Sequence, residues 1–222
     1  MMTNLFSSFD PATSTNFSYN WMSSLTAMLI IPMGFWVIPS RNKITIVILQ
    51  NKLHSEFKTL IKGSTGMTLL FTAIFTIIMV NNVMGLTPYT FTSTSHMTFN
   101  LALALPMWLS LMLFGWINQT QKMFAHLIPS GTPPILMPFM VCIETVSNMI
   151  RPGSLAVRLT ANMIAGHLLM TLLGNSLIET KELAMPLSIS SQAVLMMFEL
   201  AVAMIQAYVF SVLSALYTSE VE

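Results

Sequence analysis

Charge is what this sequence has least of. Of its 222 residues, 8% are Asp, Glu, Lys or Arg, against about 25% in an ordinary soluble domain. A soluble fold of this size would lack the charged surface it needs. Cysteine is nearly absent too. Cys142 stands alone, which excludes a secreted disulfide scaffold, and its apolar surroundings mark it as inert packing. Neither sign of charge is in excess. The net charge of +1 gives no footprint for nucleic acid. There is no Walker loop and no serine or cysteine nucleophile with a base. No two of His54, His96, His126 and His167 fall on facing spans at matching depth, so neither a haem nor a copper site is expected. No cofactor, no metal and no catalytic centre of its own are expected. The opening MMTNLFSSFDPATST carries no basic n-region and no Arg-rich presequence. The expectation is a product made inside its own compartment.

What is present in quantity is apolar side chain. Hydrophobic residues make up 54% of the chain, and the mean hydropathy is +0.71. Such a chain needs an apolar solvent, and the expected class is an all-α integral membrane protein. Methionine is over-represented, with 21 residues. It substitutes for Leu or Ile in a span at little cost. A genetic code that reads an isoleucine codon as Met, as in animal mitochondria, would produce this excess, and the coding DNA tests that hypothesis.

Charge placement parses the chain into one membrane domain over residues 1–222. No Asp, Glu, Lys or Arg occurs from Gly63 to Gln121, or from Met123 to Ile143. Residues 21–38 read as a first upright span, with Trp21 and Trp36 as interface anchors and Pro32 as a kink. Residues 44–62 place Ile46, Leu49, Leu53, Phe57 and Leu60 at steps of three and four. Lys52, Glu56, Lys58 and Lys62 lie between them, as in an amphipathic helix on a membrane face. Residues 66–86 and 98–118 are upright spans. Residues 119–132 form a loop leading into a Ser-Gly-Thr-Pro-Pro breaker. Two long apolar stretches follow, at about 134–178 and 186–217. As helices they would reach roughly 67 and 48 Å, against a hydrocarbon core of about 30 Å. They are expected to form a steeply tilted hairpin, the first helix kinked near Pro152. Five basic residues of segment 41–62 (Arg41, Lys43, Lys52, Lys58, Lys62) mark the matrix or cytoplasmic side. The N-terminus then lies opposite, and the C-terminus returns to the basic side.

Charges within the spans are confined to the last two stretches: Glu144, Arg151, Arg158, His167 and Glu199. Burying an arginine at mid-membrane costs between about 2.5–3.5 and about 10–17 kcal/mol, so such residues persist where they face protein or water and act. Glu144, Asn148, Arg151, Leu155, Arg158 and Asn162 step by four and three onto one helical stripe. Only Leu155 in it is apolar. Such a stripe suits a water-filled path. An interhelical hydrogen-bond seam is the bland alternative, but seams favour Ser, Asn and Gln over a lone arginine. On the last stretch, Glu199 and Gln206 share a face. Ala203, Ala207, Ser211 and Ala215 recur every four residues, which lets another helix approach closely. An antiparallel hairpin turning near residues 182–183 levels Arg158 with Gln206, and His167 with Glu199, to within about 3 Å. His167, nine residues after Arg158, falls on the opposite side of an ideal helix. Either the helix is irregular near Gly166, or His167 serves another face.

These residues carry a family resemblance. Leu155-Ala156-Val157-Arg158-Leu159-Thr160-Ala161-Asn162, continued by Ala165-Gly166-His167-Leu168-Leu169, resembles the signature of subunit a of the F-type ATP synthase. Glu199-Leu200-Ala201-Val202-Ala203-Met204-Ile205-Gln206-Ala207-Tyr208-Val209-Phe210 resembles its last helix. The pairing of His167 with Glu199 is similar to the mitochondrial form. The resemblance implies a non-catalytic, proton-translocating stator subunit in the mitochondrial inner membrane. Arg158 would face the carboxylate of a rotating c-ring. His167 and Glu199 would line an inlet half-channel from the intermembrane space, and Glu144 an outlet half-channel to the matrix. Asn148, Asn162 and Gln206 would be polar neighbours on the proton path, the last two beside the arginine. Implied partners are the c-ring, other Fo subunits including the peripheral stalk, lipids and the translocated proton. A self-contained channel or secondary transporter is the alternative, but the inverted repeats that a transporter favours are missing. A purely structural respiratory subunit would not account for the arginine.

Overall fold

The computed structural model describes residues 4–32, 37–61, 65–128, 133–179 and 185–221. Among these the secondary structure is helical throughout. Seven α-helices run α1 Ser23–Ile30, α2 Arg41–Leu60, α3 Thr65–Gly85, α4 Met97–Asn118, α5 Thr120–His126, α6 Met137–Glu179 and α7 Met185–Val221. Short 3-10 turns cover Leu5–Phe9, Tyr19–Met22 and Ser93–Ser95. Four segments are long and apolar enough to cross a bilayer: Gly66–Gly85, Met97–Asn118, Met137–Leu177 and Met185–Glu220. The chain is an all-α membrane protein.

The expected span over 21–38 is shorter as a helix. α1 ends at Ile30, and Ile31 is extended, because a residue preceding proline is driven out of the α region. Pro32 therefore ends this helix where a kink was expected, and residues 33–36, including Trp36, lie outside the described ones. Trp21 is half-buried against the rings of Phe91 and His96. α2 begins three residues earlier than its periodicity predicts, since the Ser40 side chain accepts from the Lys43 amide and caps it. Its apolar stripe does not rest on lipid alone: Leu53 and Phe57 are buried, the Phe57 ring lying edge-on to Phe71 of α3. The stretch expected as a loop over 119–132 contains α5, whose seven residues, about two turns, are too short to show periodicity.

α6 and α7 have 43 and 37 residues, roughly 65 and 56 Å of helix. Both exceed a hydrocarbon core of about 30 Å, as a tilted pair must. α6 continues as helix through the buried Pro152. The two run antiparallel: Arg151 meets Glu220, Asn162 meets Gln206 and Gly166 meets Glu199. The turn expected near 182–183 lies outside the described residues. The small-residue row of α7 does what its spacing predicts. Ala203, Ala207, Ser211 and Ala215 are all essentially inaccessible, and α3 and α6 pack on that side. Asn82 of α3 donates to the Ala203 carbonyl at 3.3 Å, a close approach that a larger residue would prevent. Phe57, Phe71, Ile78, Leu159 and Phe210 fill the core between α2, α3, α6 and α7.

Candidate functional site

Two of the cavities along the α6–α7 pair lie one near each end of the polar stripe. The first, about 480 Å³, lies toward the start of α6 and the end of α7. Glu144, Asn148, Arg151, Tyr217 and Glu220 line it, with Trp108 and Trp116 from α4. Arg151 organises it. Its guanidinium donates to Glu220 and to Glu144, the latter at 3.5 Å, and lies 5.1 Å from the centre of the Tyr217 ring. Arg151 joins the two helices through a forked ion pair. Pro152 has no N–H to offer the carbonyl of Asn148, which frees one more acceptor at the level of this cavity.

The second cavity, about 440 Å³, lies further along α6. It is lined by Asn162, Met163, Gly166 and His167 of α6, by Phe198, Glu199 and Val202 of α7, and by Leu86. Three of its polar atoms are unpartnered. His167 Nε2 and both carboxylate oxygens of Glu199 are buried with no hydrogen-bond partner among the described residues. A roomy cavity with such atoms in its wall is one that water enters. The His167 ring also takes the Phe9 ring edge-on at 6.1 Å between centroids.

The position of His167 resolves the half-turn mismatch with Arg158. α6 stays helical through Gly166, so His167 does face another side. The gap is bridged at Gly166, which has no side chain. The Glu199 carboxylate occupies the space: a Cβ on Gly166 would lie 2.7 Å from Glu199 Oε1. One cavity therefore wraps from His167 round to Asn162, on the face of Arg158.

Between the cavities stands Arg158. It is exposed on the surface of the isolated chain, as are Ser154, Ala161, Asn162 and Ala165 on the same face. Among the described residues it has no acidic partner. The hairpin register levels it with Gln206, but Gln206 is buried and bonds elsewhere. Its Oε1 accepts from Asn162 Nδ2 at 3.1 Å. The reason is directional. Side chains lean toward the N-terminus of their own helix, and in an antiparallel pair Gln206 leans away from Arg158 and toward Asn162.

Comparison with known proteins gives the family. A family model described as ATP synthase A chain matches residues 17–219. The chain belongs to the ATP synthase A chain family. ATP synthase subunit a of Anopheles quadrimaculatus is 60% identical over 225 residues, covering all of both chains. That of Aedes aegypti is 60% identical over 225 residues and that of Drosophila melanogaster 59% over 223, again end to end.

Within this family member, the structure gathers His167, Glu199 and Asn162 in one cavity and Glu144 and Asn148 in the other, with Arg158 in neither. The stripe reading overlooked Glu220 and Tyr217, which complete the first cavity. A signal for Glu220 was available: it is one of only eight acids in the chain, and it sits at the end of α7 on the side to which Arg151 belongs. Gly166 offered no chemical signal, because its contribution is the space it leaves.

Proposed function

We propose that this chain is the stator subunit of the membrane sector of an ATP synthase, coupling proton flow to rotation of a c-ring. One observation carries the reading: an exposed arginine within a membrane-spanning helix, without an acidic partner among the described residues, stands between two separate polar cavities. A bare guanidinium facing lipid is too costly to persist. A rotor carboxylate arriving at Arg158 would meet that need, and the exposed small residues Ser154, Ala161 and Ala165 let a neighbouring helix come close.

The chemistry is electrostatic. A rotor carboxylate crosses lipid only when protonated. Arg158 keeps its charge at any working pH, so it favours the ionised carboxylate beside it. An incoming acid then releases its proton into the Glu144 cavity, the outlet. Past the arginine, the carboxylate meets the His167–Glu199 cavity, the inlet, and is reprotonated. The same fixed charge repels protons that would pass directly between the cavities. A membrane potential contributes about 2.3 kcal/mol per charge per 100 mV and gives rotation its direction. In this assignment the inlet opens to the intermembrane space and the outlet to the matrix. The N-terminus faces the former and the C-terminus the latter, in the inner mitochondrial membrane, with the other Fo subunits, the peripheral stalk and lipid around the chain.

Replacing Arg158 by Ala tests this. The complex should assemble, its ATP synthesis should be abolished, and a cross-link from the 158 region should reach the c-ring. Normal synthesis in that variant would sink the assignment. Proton flux through the isolated chain in vesicles would favour a self-contained channel.

A further inference from the structure

Another cavity, about 300 Å³, has no part in the coupling scheme. It lies between the end of α3, residues 19–26 and the loop that follows α3. Ligand sites span about 300–1,000 Å³, so it is at their lower bound. Its wall is graded in depth. Asn81 stands about one turn, or 6 Å, before the end of α3 and is buried. Its Nδ2 and the Ser23 hydroxyl are inaccessible, with no hydrogen-bond partner among the described residues. The rim is aromatic. Tyr19 and Tyr89 line it and are exposed. The Tyr19 ring is stacked on Phe17 at 5.2 Å between centroids. Tyr89 has a φ of 66°, a left-handed backbone that a bulky residue seldom adopts. Strain of this kind collects at binding sites. The turn that carries it is tied back to α3 by the Thr90 hydroxyl, which donates to the Met84 carbonyl at 2.7 Å. Among the described residues no Asp, Glu, Lys, Arg or His lines the cavity.

We propose that this cavity binds the headgroup of a zwitterionic phospholipid, a phosphocholine or phosphoethanolamine group. The order of groups with depth selects that class. In a leaflet the amine of such a lipid lies outermost, and the phosphate and ester oxygens lie deeper. The cavity has the matching order. Tyr19 and Tyr89 stand where aromatic side chains meet the headgroup layer, and their rings attract a cation. Below them, Asn81 and Ser23 are neutral donors that suit phosphate or ester oxygens, and such an acceptor supplies the partner that each lacks. An anionic headgroup would find no cation in the wall, and burying an unpaired charge is costly. A zwitterion brings its own counter-charge. The site is separate from the proton path, so it does not rest on the stator assignment.

The test uses the purified ATP synthase complex in detergent and a phosphatidylcholine with a photoactivatable diazirine next to its acyl ester. Peptide mapping should place the label on residues 19–26 or 81–93. Unlabelled phosphatidylcholine or phosphatidylethanolamine should compete for it, and phosphatidylglycerol with the same chains should compete roughly tenfold less well. Soluble phosphocholine should compete weakly, because it lacks the chains that hold a lipid at this depth. Tyr89→Leu should lower the labelling roughly three- to tenfold, as loss of one cation–ring contact requires. Asn81→Leu should also lower it, whereas Tyr89→Phe keeps the ring and should label like the parent. If Tyr89→Leu does not assemble, Tyr19→Leu takes its place and is read in the same way. Equal competition by phosphatidylglycerol, which marks unselective surrounding lipid, would overturn the proposal. So would equal competition by soluble phosphocholine, which marks a free ligand, or parental labelling in the leucine variants. Absence of label from these residues, as when another subunit fills the cavity, would overturn it too.

Discussion

The two cavities are built on opposite plans. The proposed inlet holds one imidazole and one carboxylate with buried, unpartnered polar atoms, and among the described residues no cation is paired to them. The proposed outlet holds two carboxylates paired to one guanidinium, and the unpartnered buried atom in its wall is the neutral indole N–H of Trp108. In the first, His167 and Glu199 occupy one water-accessible space and would act in series, each needed for the same proton. In the second, Glu144 and Glu220 would act in parallel, each a substitute for the other. Wiring of this kind determines how variants combine, and combination is where the contrast can be broken.

The largest effect below loss of Arg158 should come from Gly166→Ala. Its Cβ would arrive 2.7 Å from Glu199 Oε1, and the flexible carboxylate would swing away rather than the helices part. Misplacing a reacting group by about 1 Å can cost about 10²-fold. Proton-driven synthesis should fall on that scale while the complex still assembles, and a parental rate would show that the position of Glu199 is not critical. The next effect concerns the series arrangement. His167→Glu and Glu199→His should each be severe alone, and the double exchange should retain more activity than either, because coupled residues are non-additive. Strictly multiplicative losses in the rate assay would remove the pairing.

At the outlet the combination should run the other way. Glu144→Gln and Glu220→Gln should each be moderate, and the double variant should lose more than the product of the two, reaching about 10²-fold. A double variant no worse than Glu144→Gln would mean that only one acid serves. The smallest effect should be that of Asn162→Ala. It removes one neutral hydrogen bond to Gln206 Oε1, worth about 0.5–1.5 kcal/mol. A slight drop in the thermal midpoint of the complex with synthesis nearly intact is the expected result, and a collapse of synthesis would place Asn162 in the proton path proper.

Much of this molecule was legible in the sequence because the bilayer demands it. Spans over 66–86 and 98–118 match α3 and α4 within a residue, since long uncharged runs leave the chain no other choice. The small-residue row of α7 forecast a close helix contact, though not that α3 and α6 would both pack there. What escaped was local or short. Ile31 is extended for a reason confined to its one proline neighbour, and α5 is too brief for any period. The polar stripe of α6 was a correct piece of geometry with an incomplete meaning. Leu155 and Arg158 lie on the same stripe, yet the first is buried and the second exposed.

The sequence alone determined that this chain must live in lipid, where its few charges must lie, and which helix carries Arg158. These follow from composition and helical period, which need no partner. Only the tertiary structure decided that Glu220 closes on Arg151 from a distance of 69 residues, that Gln206 turns to Asn162, and that the space left by Gly166 holds the Glu199 carboxylate. Those outcomes depend on which way side chains lean between antiparallel helices and on the volume that one absent Cβ leaves open, and neither is written in any single segment.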